Sequence, residues 1–273
     1  MNRIALQIGS LTIYWYGIFV ALGFLSAYGF MYFKARKTNF PVHKISDLCF
    51  AAMIGGVLGA RIFYVIQNFD QYSGNLIEII RVDHGGLVFF GGFFGAVLAI
   101  IWSIKRNNLY FPETADLLAS GLPLGQAIGR LGCLINGCCF GTPSQIWCSV
   151  RYPPGDSVWT TQILQNLIGS DALEPLGVLP VQVFQSGTNL LIWLSLIVIG
   201  PKLKVKGQVF SLYLILYPLG RFLIEFMRGD YLNHIFGLTS AQIICLIIFP
   251  IGIVLFFAAD KIFPKETNID TPS

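Results

Sequence analysis

Pro175–Pro201 reads PLGVLPVQVFQSGTNLLIWLSLIVIGP, a stretch of 27 residues without a charged side chain. A helix needs about 20 mostly apolar residues to cross the hydrocarbon core of a bilayer, so this stretch is long enough. The whole chain of 273 residues is 55% apolar and 12% charged, which excludes an ordinary soluble domain. Three more charge-free runs occur, at Ile4–Phe33, Gly85–Ile104 and Tyr231–Ala259. The pattern predicts an all-α, polytopic membrane protein.

Three weaker apolar segments raise the predicted number of membrane spans to seven. They lie at residues 48–67, 114–129 and 207–224. We expect one integral membrane domain over residues 1–273, with an irregular outward segment and loop at 131–174 and a cytoplasmic tail at 264–273. The first run is too long for the apolar core of a cleaved signal peptide, so we expect it to contain the first permanent span.

The distribution of charge predicts the orientation of the bundle. All nine lysines lie on one side of a seven-span arrangement, in loops 34–47, 105–113 and 201–207 and in the tail from Asp260. Cytoplasmic loops carry an excess of Lys and Arg, so we expect the N-terminus outside and the C-terminus in the cytoplasm. This asymmetry accounts for the net charge of +4, and nothing in the composition indicates a nucleic-acid partner.

The weak spans and the opposite side carry arginine but no lysine, and topology does not explain these arginines. A planar guanidinium group suits two-point contact with a phosphate or a carboxylate. The residues concerned are Arg3, Arg61, Arg81, Arg130, Arg151, Arg221 and Arg228. Some of them are therefore candidates for binding an anionic substrate.

The sixth predicted span ends in a polar series. Tyr217, Arg221 and Glu225 are spaced i, i+4 and i+8, and Arg228 follows three residues later. Residues at this spacing project from one face of a helix. We interpret the series as part of a site, because an arginine–glutamate pair among apolar residues is rare near lipid. The alternative is an interfacial stripe held by i,i+4 ion pairs.

Arg61 lies thirteen residues into the second predicted span. An arginine at that depth needs a partner or water, unless it extends to the outer end of the helix. Gly55 and Gly59 form a small-xxx-small face, which predicts close packing against another helix.

Gly121–Pro143 is rich in glycine and interrupts the apolar pattern. Irregular backbone at membrane depth persists only where protein or a water-filled cavity covers it, so we expect Arg130 and Asn136 to face a polar cavity. Gly137 would let the main chain approach a ligand closely. Elsewhere, at the outer end of the third span, His84 precedes a double glycine. It is a candidate proton-transfer group or, alternatively, an interfacial cap of the span.

Four of the six cysteines lie close together in the sequence, at Cys133, Cys138, Cys139 and Cys148. The spacing C-x4-C-C-x8-C matches no standard zinc pattern, and we predict no metal site from it. A disulfide can persist if this segment faces outward. Plain apolar packing and metal binding are the remaining alternatives.

Taken together, these features resemble the prolipoprotein diacylglyceryl transferase family over nearly the whole chain. The glycine–arginine segment with its asparagine–glycine pair is the most specific part, and the tyrosine–arginine–glutamate–arginine series follows in the expected order. The matching positions are Trp15-Tyr16-Gly17, Gly59-Ala-Arg61, Gly129-Arg-Leu-Gly132, Asn136-Gly137, Leu179–Gln185, Tyr217–Arg228 and Gln242.

The chain departs from the family pattern at positions that handle protons. The histidine that usually precedes the second double glycine is Phe90 here, whereas His84 precedes the first. The usual asparagine after glycine–arginine–x–glycine is Cys133, and the usual glutamate after asparagine–glycine is Cys138. The glutamate of the later motif corresponds to Gln185.

The resemblance implies a seven-helix enzyme of the bacterial inner membrane whose active site faces the outer leaflet. Such enzymes transfer the diacylglyceryl group of phosphatidylglycerol to the lipobox cysteine of a preprolipoprotein, releasing glycerol phosphate and needing no cofactor. Membrane lipids and the signal peptides of these preprolipoproteins are the implied partners. The rival interpretations are a divergent family member with another acceptor, a transporter for an anionic solute and a non-catalytic lipid-binding protein.

Within that reaction, the residues divide between phosphate binding and thiol activation. Arg130, Arg221 and Arg61 would neutralise the phosphate, with Glu225 orienting Arg221. Tyr217 and Tyr16 would donate hydrogen bonds to substrate oxygens. His84 is the candidate base for the incoming thiol, whose pKa is near 8.5 when free. The remaining implied substrate-binding residues are Asn136, Gly137 and Arg228.

Overall fold

A computed structural model describes residues 3–263, apart from residues 10, 39, 73–78, 80–85, 87 and 232–235. The described part of the chain is predominantly helical. Its strands and α-helices are β1 (Ile4–Ile8), β2 (Leu11–Tyr14), α1 (Trp15–Arg36), α2 (His43–Gln67), α3 (Phe89–Arg106), α4 (Phe111–Asn136), α5 (Ser157–Leu164), α6 (Val181–Ile199), α7 (Gln208–Glu225) and α8 (Ser240–Ile262).

The first apolar run is not one span from its start, contrary to the prediction. Strands β1 and β2 pair antiparallel, and the helix begins only at Trp15. Gly9 follows β1 with a φ of 59°, a conformation that favours glycine and directs the chain back. Ile4, Ile8 and Ile13 are β-branched, which favours extended backbone. The run of 30 residues therefore has room for a hairpin and a full span.

In the described part of the chain, seven α-helices have 18 residues or more, and each overlaps one of the seven predicted spans. The remaining α-helix, α5, has eight residues. Among the described residues, five helical segments are long and apolar enough to cross a membrane: Trp15–Arg36, His43–Gln67, Phe111–Asn136, Val181–Lys202 and Ser240–Ile262. The helical, membrane-spanning character of the chain is confirmed. The number of seven spans and the orientation stay predictions.

Helix α4 runs unbroken through the glycine-rich segment, past Pro123, to Asn136. The irregular segment therefore starts at Gly137 rather than at residue 131, and it includes α5. Glycines spaced four apart lie on one side of a helix and allow another helix to approach closely. A Cβ added to Gly125 would lie 2.9 Å from the carbonyl oxygen of Gly23 in α1. Packing against α1 thus replaces the irregular backbone that we expected.

The chain forms two compact units, Met1–Phe30 with Ala115–Ser273, and Met31–Thr114. In the first unit, α4, α6 and α7 contribute to an apolar cluster. Its buried members are Ala119, Ile192, Leu196, Val209 and Tyr213.

In the second unit, α2 and α3 cross at paired glycines. A Cβ on Gly55 would lie 2.6 Å from the carbonyl oxygen of Gly95, and one on Gly59 would collide with the carbonyl of Gly91. The predicted small-xxx-small face is confirmed.

Candidate functional site

Helix α7 presents Tyr217, Arg221 and Glu225 at the predicted spacing, and it ends at Glu225. Arg228 lies beyond the helix, so our expectation that it continues the helical face was wrong. It instead forms an isolated antiparallel bridge with Gly141. The turn after Glu225 makes this possible, because it leads the chain back against residues 140–142, where Gly229 N–H donates to the Phe140 carbonyl at 3.1 Å.

The Glu225 carboxylate is fully buried and connects three parts of the first unit. Its Oε2 lies 2.9 Å from Arg221 Nη2 and 4.0 Å from Arg228 Nη1. Its Oε1 accepts a hydrogen bond from Thr239 Oγ1 at 3.0 Å. Thr239 in turn caps α8 through a capping box with Gln242. One carboxylate therefore holds two arginines and the start of the last helix together.

Arg228 has a second acidic partner in Asp230. Its Nε donates to Asp230 Oδ1 at 2.8 Å, and its Nη2 donates to Oδ2. The guanidinium also stacks over the Tyr231 ring at 4.8 Å. Burial lowers the pKa of Arg228, but the hydrogen bonds to Asp230 and the nearby charges of Cys139, Asp230 and Tyr231 together raise it. Arg228 is thus a fixed positive charge beside Glu225.

A small pocket brings three predicted site residues together, each from α4 or α7. Arg130 comes from α4, and Tyr217 and Arg221 come from α7. Tyr217 stacks on Tyr213 at 5.4 Å, and the Tyr213 hydroxyl accepts a hydrogen bond from Gln126 at 3.0 Å. The other lining residues are Gln185, Thr188, Asn189, Ile192, Gly220 and Ile224.

Polar atoms in this pocket have no hydrogen-bond partner among the described residues. They are Nη1 of Arg221 and both amide atoms of Gln185, all buried. A buried polar atom without a partner costs about 1–3 kcal/mol, and more when it is charged. The second guanidinium nitrogen of Arg221 pairs with Glu225, so Nη1 is the one available to an anion. The pocket therefore suits an anionic ligand with several oxygen acceptors.

The end of α4 and the turn that follows hold Asn136, Gly137 and three cysteines. Gly137 has a φ of 73° and Cys139 one of 61°, so the turn is left-handed at two positions. The Sγ atoms of Cys133, Cys138 and Cys139 lie within 4.8 Å of one another. Hydrogen bonds with the other two thiols lower the pKa of Cys139, and the charges of Arg228 and Arg130 lower it further.

Tyr16 lies at the start of α1 next to the end of α4. A Cβ on Gly132 would meet the carbonyl oxygen of Tyr16 at 3.4 Å, so the two backbones nearly touch. The side chain of Tyr16 is 42% exposed. Tyr16 is thus one turn of α4 from Asn136.

Arg61 belongs to the second unit, where it is buried and bound to main-chain oxygens. Its Nε donates to the Ile79 carbonyl at 2.9 Å, and its Nη1 donates to the Gly86 carbonyl at 3.2 Å. The guanidinium lies 5.6 Å from the rings of both Tyr64 and Tyr72. These contacts explain how α2 carries an arginine without snorkelling. His84 lies outside the described residues.

Sequence reasoning missed two contributors to the site. Nothing in the sequence indicated a role for Asp230 except its position two residues after Arg228. Thr239 did give one, because Thr-x-x-Gln before an apolar run is the signature of a capped helix start. Its bond to Glu225, 14 residues away, was not visible in that signature.

Comparison with known proteins gives one consistent result. The sequence model of a family described as prolipoprotein diacylglyceryl transferase matches residues 3–258. A protein of Finegoldia magna named phosphatidylglycerol–prolipoprotein diacylglyceryl transferase is 34% identical over 93% of this chain and 94% of its own length. A Clostridium novyi protein of the same name is 33% identical over 95% and 96% of the two chains. The corresponding transferase 2 of Clostridium perfringens is 32% identical over 96% and 97%.

Proposed function

We propose that this chain, which belongs to the prolipoprotein diacylglyceryl transferase family, transfers the diacylglyceryl group of phosphatidylglycerol to a prolipoprotein cysteine. The acceptor sulfur attacks the glycerol carbon that carries the phosphate. The carbon–oxygen bond breaks, and its electron pair leaves with glycerol phosphate. A thioether is formed, and no nucleophile from the enzyme is required.

This displacement increases the negative charge on the phosphate as it departs. Groups that meet this charge from fixed positions lower the barrier most effectively in a site from which water is excluded. The observation that carries the proposal is the pocket that joins Arg130, Arg221 and Tyr217. Its unpartnered Arg221 Nη1 and Gln185 amide supply donors where phosphate oxygens would bind.

The remaining groups position the phosphate-binding side chains or bind other parts of the substrates. Glu225 holds Arg221 by an ion pair, so one edge of the guanidinium is anchored while the other faces the pocket. Arg228 is neutralised by Asp230, and we assign it to positioning the turn and to the local field. Tyr217 donates its hydroxyl to a substrate oxygen. We place Tyr16, Asn136 and Gly137 around the glycerol and the acceptor peptide.

Arg61 has a different role in this proposal. Two of its nitrogens already donate to the carbonyls of Ile79 and Gly86. It therefore supports the segment between α2 and α3 rather than binding phosphate.

The reaction also suggests where the protein lies in the cell. We place it in the bacterial cytoplasmic membrane with seven spans, its N-terminus outside and its C-terminus in the cytoplasm. Lysine-rich loops support this orientation. Arg221 lies near the C-terminal end of α7, almost a whole span away from the lysine-bearing loop that precedes this helix. This position supports a site toward the outer leaflet.

The test is complementation combined with direct assay. We expect the chain to restore lipoprotein modification in cells depleted of their own transferase, and the purified protein to form a thioether on a lipobox peptide. Arg130→Ala should abolish both activities, whereas Arg151→Ala should not, because Arg151 is an exposed outer arginine that pairs only loosely with Glu174. Uptake or export of an anionic solute without any thioether product would favour the transporter instead.

A further inference from the structure

The thiols of Cys133, Cys138 and Cys139 form a compact group beside the proposed phosphate site. Their Sγ atoms all lie within 4.8 Å of one another. A tetrahedral zinc ion with Zn–S bonds of about 2.3 Å holds its sulfurs about 3.8 Å apart. A contraction of about 1 Å or less would therefore make three zinc ligands of these groups. The sequence spacing alone did not indicate this.

The backbone around the three sulfurs is already fixed by hydrogen bonds. Gln182, itself fully buried, donates from Nε2 to the Cys138 carbonyl at 2.8 Å. Ser157 Oγ donates to the Gly137 carbonyl at 2.8 Å. Cys139 has a left-handed φ of 61°, a conformation that costs a non-glycine residue free energy and occurs often at functional sites. The turn thus places the thiols of Cys138 and Cys139 close to the thiol of Cys133.

We propose that Cys133, Cys138 and Cys139 bind one Zn²⁺ ion as thiolates and leave its fourth position open for the incoming lipobox cysteine. Three protein ligands with one open position are typical of catalytic zinc. The ion and three thiolates together carry a charge of −1, and Arg130 supplies compensating charge nearby. Asn136 adds a hydrogen bond from Nδ2 to Cys138 Sγ at 3.5 Å, the kind of outer contact that tunes a metal site.

This inference rests on the proposed function, for which it supplies the missing means of thiol activation. A thiol that coordinates zinc loses its proton outright. The proton passes to water, and the sulfur lone pair forms the S–C bond as the C–O pair leaves with glycerol phosphate. No electron donor or acceptor is needed. Cys133 follows Arg130 by three residues on α4, so thiolate and phosphate would meet within one helical turn.

The first experiment measures metal in the full-length protein purified in detergent. We expect about one zinc per chain in the wild type, and less than about a tenth of that in Cys133→Ser, Cys138→Ser and Cys139→Ser, since each removes a ligand. Cys148→Ser is the matched control, because Cys148 lies on the same segment outside the group, and it should keep its zinc. A wild type without zinc, or equal loss in the control, would overturn the proposal.

The second experiment needs no variant, so a folding defect cannot obscure it. Replacing zinc by Co²⁺ should give a thiolate-to-cobalt charge-transfer band. Adding a lipobox peptide should change the cobalt spectrum toward four sulfur ligands, and the same peptide with serine for cysteine should not. No response to the thiol peptide, or a disulfide among the three cysteines in the freshly purified protein, would overturn the open-position claim.

The outcomes separate this inference from the proposed function. If the protein transfers the diacylglyceryl group equally well with and without metal, the proposed function stands and the zinc site is refuted. If the protein binds zinc and the thiol peptide but never forms a thioether, the zinc site stands and the proposed function is refuted.

Discussion

Replacing Arg221 by lysine tests whether one guanidinium binds Glu225 through one nitrogen and the phosphate through another. In the structure Nη2 pairs with Glu225 at 2.9 Å, while Nη1 is buried in the pocket without a partner. A lysine has one nitrogen at this reach, and the fully buried Glu225 carboxylate will hold it. The variant thus keeps the ion pair and loses the hydrogen bond to phosphate.

The expected loss follows from that single contact. A hydrogen bond to a charged group contributes about 1.5–3 kcal/mol. Each 1.36 kcal/mol of transition-state stabilisation is a tenfold change in rate. Arg221→Lys should therefore lower kcat/KM by roughly 10- to 150-fold. Thermal stability should stay near that of the wild type, because the buried charge pair is preserved.

The assay measures thioether formation on a lipobox peptide from labelled phosphatidylglycerol in mixed micelles, with the unfolding temperature recorded for each variant. Arg151→Lys is the control, since the Arg151 side chain is 77% exposed and lies 3.9 Å from Glu174. Wild-type kcat/KM in Arg221→Lys would refute a phosphate contact through Nη1. A large loss of stability would show that lysine does not replace arginine in the ion pair with Glu225.

Three further changes test other parts of the proposal. Glu225→Gln leaves Arg221 buried without a counter-charge, so it should destabilise the protein by about 3 kcal/mol and lower the unfolding temperature. Glu174→Gln on the surface should not, and an equally stable Glu225→Gln would refute the positioning role. A reporter active only outside the cytoplasm should give signal when fused after Asp171 and none after Lys204; the reverse pattern overturns the orientation. Zinc activation predicts that His84→Gln changes the rate only slightly at any pH. A histidine base predicts instead a loss of roughly 100-fold that shrinks at high pH, where the thiol ionises unaided.

The positions of the long helices could be read from the sequence because lipid imposes a local requirement. Apolar length and the absence of charge act residue by residue, and α1, α3, α6 and α8 occur where such runs lie. The hairpin at Ile4–Tyr14 was missed, because apolar composition does not distinguish a strand from a helix. The continuity of α4 was missed for a related reason: glycine weakens a helix locally, and only packing against α1 shows that the loss is offset.

The membrane-spanning helices, the family and the order of Tyr217, Arg221 and Glu225 along one helix face could be predicted from the sequence, because all of these depend on local periodicity and motif. Which groups meet depends on tertiary packing. This packing brings Arg130 into one pocket with Arg221, binds Thr239 to Glu225, and gathers three thiols whose spacing matches no standard metal motif. Such contacts depend on how helices cross and turns fold back, which no local pattern encodes.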